Sequence, residues 1–146
     1  MPDFPKYLDR LRSGDKALNP FLDFMGMVLE ELGDGYARFR MPIRQEFLQG
    51  AGVVQGGLIV AMASETIAHA VMTLLGPGEG IATIEVKNNF LATAKDGVLI
   101  AEGKVFKKGR TVIIGDCVVS SDAGKALSRT TSSILLLARQ SALDET

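Results

Sequence analysis

The chain has 146 residues, of which 47% are hydrophobic and 23% charged, and 16 basic residues face 17 acidic ones for a net charge of −1. This length fits one domain and this composition is typical of a globular protein. Without a basic excess the chain is a poor candidate for general binding to nucleic acid, so we expect no nucleic-acid partner.

Cys117 is the only cysteine and His69 the only histidine. An intrachain disulfide is therefore excluded, and so are zinc sites built from several Cys or His ligands; we expect no metal. The first 15 residues mix charges and lack the apolar core of a secretory signal. No apolar run reaches the ~20 residues of a membrane span. We expect a cytoplasmic protein with no membrane partner.

The first 25 residues are predicted to form an N-terminal helical segment. Apolar side chains near helical spacing predict a short amphipathic helix over 4–12. Asn19 followed by Pro20 is typical of a helix start, which predicts a helical turn over 20–24. Residues 26–57 follow as a hairpin and a glycine-rich loop, with strands at 27–31 and 36–41 around the Gly-Asp-Gly turn 33–35.

Residues 58–75 are apolar on nearly every side, which predicts a long buried central helix. Ser64, Glu65 and His69 in its middle argue against a membrane span. The sequence Gly-Pro-Gly at 76–78 ends it.

The rest of the chain, 81–138, is predicted to be antiparallel strands near 81–90, 98–107, 110–120 and 126–138, separated by turn sequences rich in Gly, Asp and Lys. One apolar helix among so many strands has to be wrapped by a strongly curved sheet. The predicted fold is α+β, a curved antiparallel sheet around one long buried helix, with residues 1–146 as a single domain.

The segment 49–57, QGAGVVQGG, runs directly into the central helix. A glycine pair at a helix start leaves backbone N–H groups free at the positive end of the helix dipole, where they can polarise a carbonyl. Lacking a Cβ, Gly56 and Gly57 would allow close approach of a substrate. The alternative is a loop that merely packs tightly against the sheet.

These residues resemble a motif of the hotdog-fold acyl-CoA thioesterases, in the PaaI-like branch of the 4-hydroxybenzoyl-CoA thioesterase superfamily. That motif is Asn or Gln, two residues, Gly, two residues and His-Gly-Gly, with an acidic residue about two turns into the helix. Gln49, Gly52, Gly56 and Gly57 stand at the matching positions. The segment 86–94, VKNNFLATA, is similar to a family strand that ends in Asn-Phe-Leu-x-x-Ala.

The resemblance implies a hotdog fold and an acyl-CoA thioesterase without metal or prosthetic group, coenzyme A entering only as part of the substrate. By the same resemblance, the Gly56 N–H polarises the thioester, and a carboxylate either attacks it directly or activates the attacking water. Gln49 would place that water, and Gln55 and Gly57 would contact the substrate. It also implies paired subunits, a homodimer or a dimer of dimers, with sites at the interface.

Two positions depart from the family motif. Gln55 stands where the motif has His. The position of the motif's acidic residue is occupied by Ser64, and Glu65 is the following residue. Neighbouring helix residues point ~100° apart, so Ser64 and Glu65 are alternative candidates for the catalytic position. Glu65 can also pair with His69 one turn later, which would make it a structural ion pair instead.

Other candidate substrate contacts lie further along the chain. By resemblance, the hydroxyl of Thr83 can contact the thioester or its water, although Thr is also simply a good strand former. Lys107, Lys108 and Arg110 form a basic turn that could hold the phosphates of coenzyme A or be ordinary solvated surface.

The sequence is compatible with two other functions. A non-catalytic acyl-CoA or acyl-ligand binding protein on the same fold would explain the missing His and displaced acid. A dehydratase or other acyl-thioester lyase is a weaker alternative, because such enzymes need an active-site His and His69 lies deep in the helix.

Overall fold

The computed structural model describes residues 2–138. The strand predicted at 126–138 ends one residue earlier, so Ala138 lies outside it. Three α-helices occur in these residues, together with short 3-10 turns at Lys16–Leu18 and Gln45–Phe47. The helices are α1 (Phe4–Arg12), α2 (Pro20–Met25) and α3 (Gly56–Met72).

Residues 2–138 also contain six strands in one antiparallel sheet. The strands are β1 (Val28–Gly33), β2 (Tyr36–Pro42), β3 (Gly80–Phe90), β4 (Val98–Lys108), β5 (Val112–Ser121) and β6 (Ala126–Leu137). Their order across the sheet is β1-β2-β4-β5-β6-β3, so β1 and β3 are the edges. The predicted α+β layout is confirmed, with strand ends shifted by one or two residues.

The N-terminal helices begin where side chains satisfy free backbone N–H groups. Asp3 accepts a hydrogen bond from the Lys6 N–H at 3.2 Å, and Asn19 accepts one from the Leu22 N–H at 3.1 Å. Gly26 ends α2 in the left-handed conformation, with a φ of 72°.

Helix α3 begins two residues earlier than predicted, at Gly56, and ends at Met72 instead of residue 75. The reason is Gln55, whose side-chain oxygen accepts a hydrogen bond from the Leu58 N–H at 3.1 Å and so caps the helix. Gly56 and Gly57 therefore belong to the first turn of the helix and not to the loop before it.

Two glycines let α3 lie very close to the middle of the sheet. A Cβ on Gly115 of β5 would lie 2.5 Å from Cγ2 of Ile67, and one on Gly103 of β4 would lie 3.0 Å from the Thr66 backbone oxygen. Bulkier residues at these positions would push the helix off the sheet.

The sheet covers only one side of α3, so the prediction of a helix buried on every side is wrong for the single chain. Its buried residues are Ile59, Met62, Ala63, Thr66, Ile67, His69, Ala70 and Val71. The opposite side is partly exposed, and we call it the open stripe; it comprises Gly57, Ala61, Ser64, Glu65, Ala68 and Met72.

Strand β3 leaves its outer edge without a neighbouring strand in the described chain. Its pairing with β6 shifts between Thr83 and Glu85, so that Ile84 is an extra residue and is 59% exposed. Across residues 2–138, no helix combines the length and the hydropathy that crossing a membrane requires.

We expect Gly115→Ala to destabilise the fold by about 1–3 kcal/mol, because the new methyl group overlaps the Ile67 side chain in a packed core. Urea denaturation measures this loss. Gly50→Ala is the control, since a Cβ there meets nothing within 4 Å. Equal stability of the two variants would contradict the close packing.

Candidate active site

The loop that leads into α3 is held by backbone hydrogen bonds. Leu48 and Val54 pair as an isolated antiparallel β-bridge, and the Gln49 N–H donates to the Val53 carbonyl at 2.8 Å. The Val54 N–H donates to the Ala94 carbonyl, outside the loop, at 2.8 Å. The side-chain oxygen of Gln49 accepts a hydrogen bond from the Ala51 N–H. Gln49 is thus exposed but fixed, with its amide NH₂ group directed away from that bond.

At the start of α3, the N–H groups of Gly56 and Gly57 have no hydrogen-bond partner among residues 2–138. The N–H groups on either side are satisfied, because Gln55 donates to the Phe47 carbonyl at 2.9 Å and Leu58 donates to Gln55. Two free donors at the positive end of a 17-residue helix can stabilise an oxyanion.

Side chains crowd both glycines. A Cβ on Gly56 would lie 2.9 Å from Cζ of the Phe90 ring, and one on Gly57 would lie 2.8 Å from Oε1 of Gln55. Phe90 ends β3 and is 57% exposed. Gln55, which stands where the family motif has His, thus serves as the helix cap, and the Phe90 ring occupies the space beside Gly56.

Ser64 and Glu65 both lie on the open stripe, at its two borders. Ser64 follows Gly57 by seven residues, about two turns, and so lies on nearly the same side of the helix. Glu65 is rotated by ~100° towards His69, on the side where α1 packs against α3. No local bulge brings Glu65 into the Ser64 position, because α3 is regular α-helix throughout.

His69 is fully buried in a hydrogen-bonded chain that joins α3 to the N-terminal segment. Its Nδ1 lies 2.7 Å from the Glu65 carbonyl oxygen, which can only accept, so Nδ1 carries the proton. Nε2 then accepts from the Tyr7 hydroxyl at 2.8 Å, and Asn19 donates to that hydroxyl at 2.9 Å. His69 is a satisfied core histidine.

Burial shapes the electrostatics of this cluster. It lowers the pKa of His69, so the imidazole is neutral, and it raises the pKa of Glu65, where a hydrogen bond from Asn19 offsets part of the effect. The Glu65 carboxylate lies 3.7 Å from Nδ1 of His69. Because that nitrogen already donates to a backbone carbonyl and carries no charge, the pair is not a strong ion pair.

The other predicted contacts are spread over the chain. Thr83 lies exposed on edge strand β3. Lys107 and Lys108 end β4 and Arg110 lies in the turn to β5, and all three are exposed, so the basic turn exists. Lys108 donates to the Leu74 carbonyl at 3.1 Å, just past the end of α3. The basic turn is therefore about a helix length, ~25 Å, from Gly56 in the same chain.

Sequence reasoning missed the roles of Phe90, Tyr7 and Asn19. The Asn-Phe-Leu pattern marked Phe90 as a family-like residue, but nothing in the sequence placed its ring at Gly56. Tyr7 and Asn19 could be read only as parts of an N-terminal helix and a cap. Among residues 2–138, no three His, Cys, Asp or Glu side chains are grouped as metal ligands would be.

Comparison with known proteins decides the family. The sequence profile of the thioesterase superfamily matches residues 51–128, which include the glycine pair, all of α3 and most of the sheet. The chain belongs to the thioesterase superfamily. The predicted resemblance, the hotdog fold and the class of thioester hydrolase are thereby confirmed at the level of the family.

This thioesterase-superfamily chain has relatives and structural neighbours of similar length. A relative from Saccharolobus solfataricus, provisionally named an esterase, is 31% identical over 110 residues, 75% of this chain and 78% of the relative. Another from the same organism is 29% identical over 94 residues, 64% of this chain and 62% of that relative.

Among solved structures, the phenylacetic acid degradation-related protein of Ralstonia eutropha JMP134 aligns with a TM-score of 0.82 and 25% identity, over 88% of this chain and 98% of that one. A thioesterase family protein of Silicibacter pomeroyi aligns with a TM-score of 0.80 and 22% identity, over 90% and 98% of the two chains. The second likeness shows the shared fold alone.

We expect Gly56→Val to lower thioester hydrolysis by about 10²–10³-fold while the fold survives. The branched side chain collides with the Phe90 ring and blocks approach to the free N–H groups. Steady-state kinetics and circular dichroism measure the two effects. Gly50→Val, in open space of the same loop, serves as control. Unchanged turnover in Gly56→Val would show that this helix start is not the oxyanion site.

Proposed function

We propose that the protein is an acyl-CoA thioesterase whose oxyanion site is the start of α3. The observation that carries this proposal is the pair of unpartnered N–H groups of Gly56 and Gly57. Water attacks the thioester carbonyl carbon, the developing oxyanion accepts hydrogen bonds from these groups, and the C–S bond then breaks. The products are a carboxylic acid and coenzyme A.

Glu65 is the proposed general base, taking a proton from the attacking water and returning it to the leaving thiolate. It is the only carboxylate in α3, its side chain is 31% exposed, and burial raises its pKa. A raised pKa makes a carboxylate a stronger base. Because His69 is neutral and bonded elsewhere, it does not tie the Glu65 carboxylate into a strong ion pair.

Gln49 is the proposed holder of the attacking water. Its side-chain oxygen is engaged by the Ala51 N–H, so its NH₂ group is the part available to a ligand. Gln55 and Gly57 line the same helix start and would contact the substrate beside the thioester. Thr83, exposed on β3, is a further proposed substrate contact.

A second copy of the chain would complete the site. The described chain leaves two surfaces uncovered, the outer edge of β3 and the open stripe of α3. Pairing two β3 edges around a two-fold axis sets the two α3 helices antiparallel. The end of one helix, with its basic turn, then lies beside the start of the other. In such a dimer Lys107, Lys108 and Arg110 bind coenzyme A phosphates at the other copy's site.

No resident cofactor or metal is needed for this chemistry, and the substrate brings its own coenzyme A. The buried Cys117, whose pKa burial raises to about 12, takes no part. A reducing cytoplasm remains the proposed compartment for the free thiol.

One observation favours a second candidate, a non-catalytic acyl-CoA binding protein. Ser64, which follows Gly57 on the open stripe, occupies the family's acidic position, while Glu65 is turned towards Asn19. Without a base at the site, the free N–H groups would bind a thioester without hydrolysing it.

The two candidates differ in how they respond to changes at residues 64 and 65. If Glu65 is the base, Glu65→Gln lowers kcat by about 10²–10⁴-fold, whereas Ser64→Ala costs far less. Wild-type kcat then falls as the pH drops through the raised pKa of Glu65, because the base becomes protonated. Turnover of short, long and aromatic acyl-CoAs from pH 5 to 9 measures both effects.

Ser64→Asp is the matched gain-of-function variant. If the site lacks a base, this change creates turnover in a protein that otherwise only binds acyl-CoA, and calorimetry shows the binding. An active wild type in which Glu65→Gln is near normal and Ser64→Ala is inactive would remove Glu65 from the mechanism.

We expect the protein to be at least a dimer at micromolar concentration, and Ile84→Lys to favour the monomer. The lysine places a charge on the exposed β3 edge that pairs with the second copy. Sedimentation velocity measures the mass. Val118→Lys, on central strand β5 and 41% exposed, is the control that adds the same charge elsewhere. A wild-type mass of 15.6 kDa would remove the shared-site model.

A further inference from the structure

A strip of polar side chains lies on the inner face of β3 and β6, where a hydrophobic core would be expected. Asn88 pairs with Thr130, and Phe90 pairs with Ser128, so all four side chains share one face of the sheet. Ser132 lies two residues beyond Thr130 on that face. Ser128, Thr130 and Ser132 are buried.

Two of the hydroxyl groups in this strip have hydrogen-bond partners within the chain. Thr130 donates its hydroxyl to Oδ1 of Asn88 at 2.5 Å, and Ser132 donates to the Glu85 carbonyl at 3.0 Å. Two buried atoms are left without a partner, Nδ2 of Asn88 and Oγ of Ser128. Leaving a buried polar group unpaired costs stability, so such groups are rare and call for a partner from outside the chain.

Phe90 links the residues that carry the two unpaired atoms to the proposed oxyanion site. Phe90 is the cross-strand neighbour of Ser128 and is two residues from Asn88 on the same face. Its ring also lies where a Cβ of Gly56 would be. Phe90 therefore neighbours both the helix start and the polar strip, and a ring that is 57% exposed can turn away without disturbing the core.

We propose that Asn88 and Ser128 form a polar subsite for the acyl group, which selects acyl chains bearing a hydroxyl or oxo oxygen a few carbons from the thioester. The inference rests on the proposed function and deepens it by naming a substrate class. Nδ2 of Asn88 donates to the substrate oxygen, and the Ser128 hydroxyl donates to it or accepts from it. Thr130 positions the Asn88 amide by holding its oxygen.

A plain alkyl chain would leave both groups unpaired in the complex. A site built to bond a substrate oxygen rejects the analogue that lacks it, because its own buried groups then have no partner. One such unpaired group costs enough to change kcat/KM by about 10–100-fold.

The test compares hexanoyl-CoA with its 3-hydroxy and 5-hydroxy derivatives on the full chain. The wild type should prefer one hydroxy derivative over hexanoyl-CoA by about 10-fold or more in kcat/KM. Ser128→Ala and Asn88→Leu should erase that preference, by lowering kcat/KM for the hydroxy derivative towards the value for hexanoyl-CoA. Ser128→Ala should not lower Tm, because the hydroxyl it removes has no partner.

Ser132→Ala is the matched control, on the same strand and face. Its hydroxyl is already bonded to the Glu85 carbonyl, so the variant should lose stability and keep the preference for the oxygenated chain. This combination separates a ligand-binding role from a general effect of altering the strip.

The proposal is overturned if the wild type has the same kcat/KM for all three acyl-CoAs, or if Ser128→Ala and Asn88→Leu keep the preference for the hydroxy derivative. In the latter case a buried water is the partner of the two atoms. If the wild type hydrolyses none of the three, turnover of the short, long and aromatic acyl-CoAs decides the thioesterase proposal, and affinities from calorimetry on the three hexanoyl compounds decide the subsite separately. Equal affinities, or no binding, would then overturn it too.

Discussion

The close approach of α3 to β4 and β5 sets the geometry of the whole molecule. Gly115 and Gly103 let the helix backbone lie almost on the sheet, and the side chains of Ile67 and Thr66 fill the remaining space. A helix held this tightly cannot rotate about its axis. The side that carries the buried residues, the side left open and the direction of the free N–H groups at Gly56 all follow from that constraint.

Much of this arrangement could be predicted from the sequence, because local patterns encode it. The apolar run of α3, the turn residues between strands and the glycine pair gave the α+β fold and the helix start. The helix boundary was misplaced by two residues, since a glutamine cap at Gln55 is not a strong helix signal. The burial of α3 was overestimated, because hydropathy does not distinguish a face covered by the sheet from one left open.

The site was predictable only in part. Ser64 and Glu65 could be placed ~100° apart by helix geometry, but which neighbours each would meet depends on the docking of the N-terminal segment. Tyr7 reaches His69 in the middle of α3 from 62 positions earlier in the chain, and Asn19 bonds Tyr7. Such long-range contacts leave no periodic pattern, and the same is true of the Phe90 ring at Gly56.

The irregular pairing at Ile84 has a consequence for the free edge of β3. A regular edge strand of 11 residues would offer the same row of donors and acceptors to any extended chain. The extra residue interrupts that row and bends the strand locally. An unrelated extended segment therefore finds no continuous row of donors and acceptors along this edge. The bulge makes the free edge of β3 a poorer template for aggregation than its length alone would suggest.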